Sequence, residues 1–227
     1  MKASRGPPRC THQRVARHVA PAVAPHTAAK RRRQMVNRTR RGIAAVLIIA
    51  IVTILAAPEA GWAEMAELLR KLDLSTYPRA TKPPEFTGHT TDGRTLSLAS
   101  SLQGKVVILN FWATWCNECL EEMRAFEQLH RKFAGKGLVI LGINAREGTT
   151  AIQKFAKELN LTFPLVVDST GEINAAYGVI GLPTTFLIGS DGRGVARGVG
   201  PREWTGGPAL ALIQSLLAEP AVLRDAK

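Results

Sequence analysis

The chain has 227 residues, 45% apolar, 21% charged and 6% aromatic, a composition that can bury a core and excludes wholesale disorder. Its formal net charge of +12 is concentrated at one end: 12 of the 30 Lys and Arg lie in residues 1–42, ahead of the first acidic residue, Glu59, and the remainder is balanced at 18 against 18. A neutral body behind a basic head has no electrostatic footprint for a phosphate backbone, so a nucleic-acid partner is not expected.

Residues 1–41 read as a basic cytoplasmic segment, with Met35 available as an alternative start. From Ile43 to Ala57 no residue is charged, and Pro58 closes the run. At ~1.5 Å per residue this covers about 22 Å, short of a ~30 Å hydrocarbon core, so a full span draws in residues 42–62. Six basic residues within 31–41 precede the run, as they do before membrane segments and rarely before a soluble core helix. Two fates stay open. The segment is either a retained anchor in a bacterial inner membrane or a signal cleaved near Gly61-Trp62-Ala63, and the Arg40-Arg41 pair also suits the twin-arginine route. Under both, the positive flank stays in the cytoplasm and residues 59–227 lie outside. Cysteine usage agrees with that compartment: Cys10 sits in the basic head, which leaves Cys116 and Cys119 as a single close pair, where structural disulfides usually close longer loops.

Beyond the apolar run, Met65, Leu68, Leu69 and Leu72 recur at helical spacing, which predicts a short juxtamembrane helix serving as a surface spacer. Pro78, Pro83 and Pro84 make residues 75–83 a linker, and the globular domain is expected over 84–218, followed by a tail at 219–227. Phe86–His89 and Thr95–Leu98 flank a Thr91-Asp92-Gly93-Arg94 turn and predict an N-terminal β-hairpin. Val106–Phe111 and Leu138–Ile143 are continuous apolar runs, hence strands buried on both faces, and helix 118–133 between them makes a βαβ unit with parallel strands. A helix over 150–160, strand 165–167, a short helix over 172–177, strand 185–188, a Ser190-Asp191-Gly192-Arg193 turn, strand 195–199 and helix 208–217 complete the order. Parallel strands first and antiparallel strands last predict an α/β fold with a mixed central sheet flanked by helices.

Cys116-Asn117-Glu118-Cys119 directly follows a buried strand and opens a helix. Unpaired N–H groups and the positive helix end stabilise a thiolate there, and a cysteine three residues on lies on the same side. Zinc would need two further ligands. His89 and His130 are expected on the surface, so neither a metal nor a cofactor is expected.

Asn110-Phe111-Trp112-Ala113-Thr114-Trp115-Cys116-Asn117-Glu118-Cys119, with Gly181-Leu182-Pro183-Thr184-Thr185-Phe186-Leu187-Ile188, resembles the thioredoxin superfamily. Gly104-Lys105-Val106-Val107, the Asp92-Gly93 hairpin, Gly200-Pro201-Arg202-Glu203-Trp204 and the N-terminal apolar segment narrow the resemblance to membrane-anchored thiol-disulfide oxidoreductases of the TlpA and ResA type, over residues 83–218. The resemblance implies a thioredoxin-like fold in which Cys116 is the exposed nucleophile that attacks a substrate disulfide and Cys119 resolves the mixed disulfide. It implies a cis bond at Leu182-Pro183, with Trp115, Leu182 and Thr184 bordering the substrate and the Leu182 backbone pairing with it as an added strand. Two departures bear on mechanism. Asn110 stands where these proteins often bury an Asp, and the replacement candidate for the proton acceptor is Glu122, which lies at i+3 from Cys119 and matches the position where the ResA type carries a functional glutamate, against a reading of it as a solvated helix carboxylate. Glu118 and Arg124 stand where prolines are common. The functions implied are reduction of extracytoplasmic protein disulfides, in cytochrome c maturation or on copper-chaperone and oxidase thiols, fed by a membrane thiol-transferring donor. A thiol oxidase for protein folding and a metallochaperone or thiol-binding module are the alternatives.

Overall fold

The computed structural model describes residues 35, 38, 63–77 and 81–218. The basic head, the apolar run, residues 78–80 of the expected linker and the tail at 219–227 lie outside the described residues, and with them the expectations about anchoring and cleavage. Among the described residues no helix is long and apolar enough to cross a membrane.

Helix α1 (63–71) leads into β1 (Ser75–Thr76), the hairpin β2 (Thr87–Thr90) and β3 (Thr95–Ser97), and a short helix α2 (Leu98–Leu102). The βαβ unit follows as β4 (Val106–Trp112), α3 (Asn117–Phe133) and β5 (Leu138–Ala145), then α4 (Thr149–Leu159) and β6 (Leu165–Asp168). The chain closes with α5 (Glu172–Ala176), β7 (Thr184–Ile188), β8 (Gly194–Val199) and α6 (Gly207–Ala218). The strands form one sheet in the order β1-β8-β7-β4-β5-β6-β2-β3. β4, β5 and β6 are parallel, whereas β7 and β8, and the hairpin beyond β6, run antiparallel.

Every residue of β4 is buried, as its lack of alternation predicts, and its two faces feed different cores. Val106, Ile108 and Trp112 join α1, α3, α4 and α6 on one side. Val107, Leu109 and Phe111 pack with Leu98, Ile173, Tyr177 and Phe186 on the other. Asn110, two residues from both Ile108 and Trp112, is thereby turned toward α3, because side chains alternate along a strand.

Helix α1 is not the surface spacer its pattern suggested. Met65, Leu68, Leu69 and Leu72 are buried in the same core as Phe126 and Trp204, and β1 pairs with β8, Ser75 opposite Arg197. An amphipathic stripe specifies a helix with one apolar face but does not name the surface that covers it. α2 was not anticipated. It is five residues long, and its start is fixed by the Ser97 hydroxyl oxygen, which accepts the Ser100 N–H at 3.2 Å.

Candidate active site

β4 ends at Trp112, and the chain turns through Ala113-Thr114-Trp115 into α3 with Cys116 as its N-cap, at φ −87° and ψ 103°. The Cys119 N–H, in the first turn of the helix, donates both to the Cys116 carbonyl at 3.1 Å and to Cys116 Sγ at 3.2 Å. Cys116 and Cys119 are joined in a disulfide, Cα to Cα 5.3 Å. Cys116 retains 8% of its surface and Cys119 none. The N-terminal cysteine is therefore the more accessible of the two, although it is more covered than an exposed nucleophile was expected to be.

The turn ahead of Cys116 is fastened from a distance. Glu147, just beyond β5, accepts the Thr114 N–H at 2.7 Å and the Thr114 hydroxyl. Its own carboxylate is steadied by Asn144 Nδ2 at 2.7 Å. Sequence reading did not single out Glu147, because its partner lies 33 residues away and no local pattern joins them.

One turn into α3, Glu122 is 1% exposed, which removes the reading as a solvated carboxylate. Its Oε1 accepts the Trp204 indole N–H at 2.7 Å and the Arg202 backbone N–H at 2.9 Å, and its Oε2 accepts Asn110 Nδ2 at 3.2 Å. Burial pushes its carboxyl up to about 7 despite the hydrogen bonds from Trp204, Arg202 and Asn110 and the nearby Arg202 charge, all of which favour the anion. Asn110 Nδ2 also donates to Thr185 Oγ1 at 3.0 Å, its neighbour across the β4/β7 pair. The buried Asn110 Oδ1 has no hydrogen-bond partner. A polar cleft of about 310 Å³, lined by Glu121, Arg124, Gln128, Arg202 and Glu203, reaches Glu122 from solvent.

The Leu182-Pro183 bond is cis. Thr184 opens β7 opposite Phe111, so Pro183 lies at the sheet edge from which the cysteine turn emerges. Leu182 is half-buried and Thr184 buried, with the Thr184 hydroxyl donating to the Gly181 carbonyl at 2.6 Å. Trp115 is 69% exposed, and Ile180 and Val199 are the other large apolar side chains left open among the described residues of 63–218. Val199 pairs with Thr184, so these side chains mark the same end of the sheet. Sequence reading missed Ile180 and Val199, which carry no motif.

His89 is exposed as expected. His130, expected on the surface, is instead half-buried, because its ring packs against Phe163, and its buried Nδ1 has no partner. Among the described residues no group of His, Cys, Asp or Glu could hold a metal.

A mixed sheet with a cysteine pair capping the helix after its central strand, opposite a cis-proline, defines the thioredoxin-like class. Residues 80–195 match the AhpC/TSA family, and the chain belongs to that family. It is 35% identical over 165 residues to the thiol-disulfide oxidoreductase ResA of Bacillus subtilis, an alignment covering 72% of this chain and 84% of that one. It is 42% identical over 110 residues to ResA of Bacillus thuringiensis subsp. konkukian, covering 48% of this chain and 63% of the relative's length. Among solved structures it resembles a crystal structure named for the thiol:disulfide interchange protein DsbE of Chlorobium tepidum. The TM-score there is 0.58 at 29% identity, over 63% of this chain and all of that one.

Proposed function

We propose that this protein is an extracytoplasmic thiol-disulfide oxidoreductase, tethered by its N-terminal apolar segment, that reduces protein disulfides. The observation that carries the reading is the cysteine pair at the N-terminus of α3 with a buried carboxyl one turn further along the same helix. The relatives named thiol-disulfide oxidoreductase support the thiol-disulfide exchange in this reading.

In the reduced protein the Cys116 thiolate, stabilised by the helix end, attacks one sulfur of a substrate disulfide. The other substrate sulfur leaves as a thiolate and takes a proton from water, and a mixed disulfide remains on Cys116. The Cys119 thiol gives its proton to the Glu122 carboxylate, and its sulfur attacks Cys116 Sγ. The substrate's second sulfur is released, and two electrons have passed from the pair to the substrate. Dithiol exchange needs no cofactor, and a membrane thiol-transferring donor would restore the reduced pair.

Asn110 suits a carboxyl that must hold either charge state. With Nδ2 toward Glu122 it donates to the anion. Rotated by a half-turn, its now unpartnered Oδ1 accepts from the protonated acid, and the Thr185 hydroxyl can still bond to the amide. A buried Asp at this position would instead add a second negative charge beside the first.

Trp115, Leu182, Ile180 and Val199 offer an apolar rim for a protein chain, with the Leu182 backbone, between the bonded Gly181 and Pro183 carbonyls, placed to pair with extended backbone. Substrates in keeping with a reductase outside the cytoplasm are apocytochrome c disulfides and copper-chaperone or oxidase thiols. Trapping with Cys119→Ser in intact cells tests the proposal: mixed disulfides with extracytoplasmic cysteine proteins are expected, and their absence, with no insulin reduction by the purified protein, would overturn it. Protease added to spheroplasts should remove the domain if it lies outside the membrane.

A further inference from the structure

The last turn of α1 leaves carbonyls without helical partners, as every helix end does. Leu72 N–H returns to Leu68 O and Leu74 N–H to Leu69 O, with Asp73 at φ 50°. The carbonyls of Leu72 and Asp73 then stand beyond the last helical bond, at the negative end of the helix dipole. Arg202 takes both, Nε to Leu72 O at 2.7 Å and Nη2 to Asp73 O at 2.6 Å, while Nη1 donates to Gly200 O at 2.6 Å. The guanidinium side chain is only 7% exposed, whereas the Asp73 side chain 3.5 Å away is fully in solvent. A buried cation held chiefly by carbonyl dipoles is costly unless its geometry is fixed. Strand β8 is shaped to admit it: a Cβ on Gly198 would fall 2.5 Å from Arg202 Cζ.

The backbone N–H of this same residue donates to Glu122 Oε1, and Trp204, two residues on, donates to the same oxygen. We propose that Arg202 is a positioning residue that couples the docking of α1 to the proton affinity of Glu122, its guanidinium clamping the end of α1 so that its own N–H and the Trp204 indole stay fixed on the carboxyl. This inference rests on the reading of Glu122 as proton acceptor for its functional meaning, but not for its test. α1 is the first described element after the apolar run, and the clamp ties its last turn to the segment that holds Glu122.

The groups bonded to Glu122 are Asn110 from β4, and Arg202 and Trp204 from the segment between β8 and α6, while Cys119 lies three residues before it on α3. Glu121, Arg124 and Glu203 border the cleft beside it. Of these, Arg202 contributes both a hydrogen bond and a positive charge that favour the anion. Loss of the clamp should therefore make Glu122 hold its proton to higher pH.

The test is a pH titration of the infrared C=O band of the protonated carboxyl in the full chain, assigned by its disappearance in Glu122→Gln. Arg202→Gln should move the midpoint up by about one pH unit, roughly a tenfold change in proton affinity. Arg202→Lys, which keeps the charge but replaces the planar fork, whose three nitrogens each reach a different carbonyl, by a single compact ammonium, should move it part of the way. Gly198→Ala keeps Arg202 and its charge but crowds the guanidinium off its seat, and should also raise the midpoint. An unmoved midpoint in Arg202→Gln and Gly198→Ala overturns the inference, as does a shift confined to Arg202→Gln, which would leave charge alone as the cause. If the midpoint moves while the pH profile of thiol exchange does not follow, the proton-acceptor reading of Glu122 fails and the clamp stands.

Discussion

Helix α3 carries two carboxylates four residues apart, and they occupy different media. Glu118, in the first turn, is exposed beside Trp115 at the rim of the site. Glu122, one turn on, is buried against Trp204, Asn110 and the backbone of Arg202. The same functional group is a screened surface charge in one place and a titratable acid poised near neutrality in the other. Burial, and not residue type, assigns the roles. The cysteines divide along the same line, Cys116 at the rim and Cys119 in the interior.

The sharpest division is expected from the cysteines themselves. Cys116→Ser should abolish capture of a substrate disulfide. Cys119→Ser should leave capture intact and stop the reaction at the mixed disulfide. Non-reducing gels of the two variants after mixing with a protein disulfide distinguish these outcomes, and equal accumulation of adducts in both would erase the difference between rim and interior.

Trp204 tests how far the interior depends on packing. It is fully buried, and its ring lies 5.3 Å from Phe126. Trp204→Ala should cost about 3–5 kcal/mol of stability, measured by urea unfolding. It also deprives the Glu122 anion of a donor, so the loss should be larger at pH 8 than at pH 5.

Glu122→Gln isolates the charge. The folded chain holds the Glu122 proton up to about pH 7, against an ordinary value of 4.5. The fold is thus favoured below 4.5, and that advantage is lost as the pH rises through about 7. The loss amounts to about 3 kcal/mol across that window. In urea unfolding at pH 5 and pH 8, which span most of that window, the wild type should lose about 2.5 kcal/mol more stability than Glu122→Gln, whose amide does not ionise. The variant should also show a flatter rise of exchange rate through neutral pH, because the acceptor for the Cys119 proton is gone.

The contrast also shows what a sequence carries. The hairpin, the βαβ unit and the closing antiparallel strands follow from periodicity and turn residues, and the structure moves their ends by a residue or so. The cysteine pair could be read because it follows a buried strand and opens a helix, and Pro183 because the motif around it resembles that of the thioredoxin superfamily. Glu122 could be proposed from its i+3 relation to Cys119, but its burial could not, since that depends on Arg202 and Trp204 in a segment with no periodicity. Glu147 and the clamp on α1 join residues far apart in the chain. Such contacts are consequences of the fold and leave no local pattern before it forms.

The smallest effect belongs to Glu118, and exposure sets its size. For a separation of about 6 Å, a first-turn carboxylate opposes the thiolate of the capping cysteine and offsets part of the helix-end stabilisation, which disfavours the reduced form and lowers the potential. Treated as a buried charge it would shift the couple by roughly 60 mV, and in bulk water by about 15 mV. Glu118 is exposed, so the lower figure applies. We expect the wild type to lie below about −200 mV, on the reducing side of protein disulfide isomerase. Glu118→His should be less negative by about 15 mV where the imidazole is neutral. The shift should widen below about pH 6.5, where the imidazole becomes a cation that favours the thiolate. Equilibration with glutathione at two pH values measures both quantities. A wild-type value near −120 mV would replace the reductase by an oxidase, and a shift as large as 60 mV would mean that the rim is as dry as the interior.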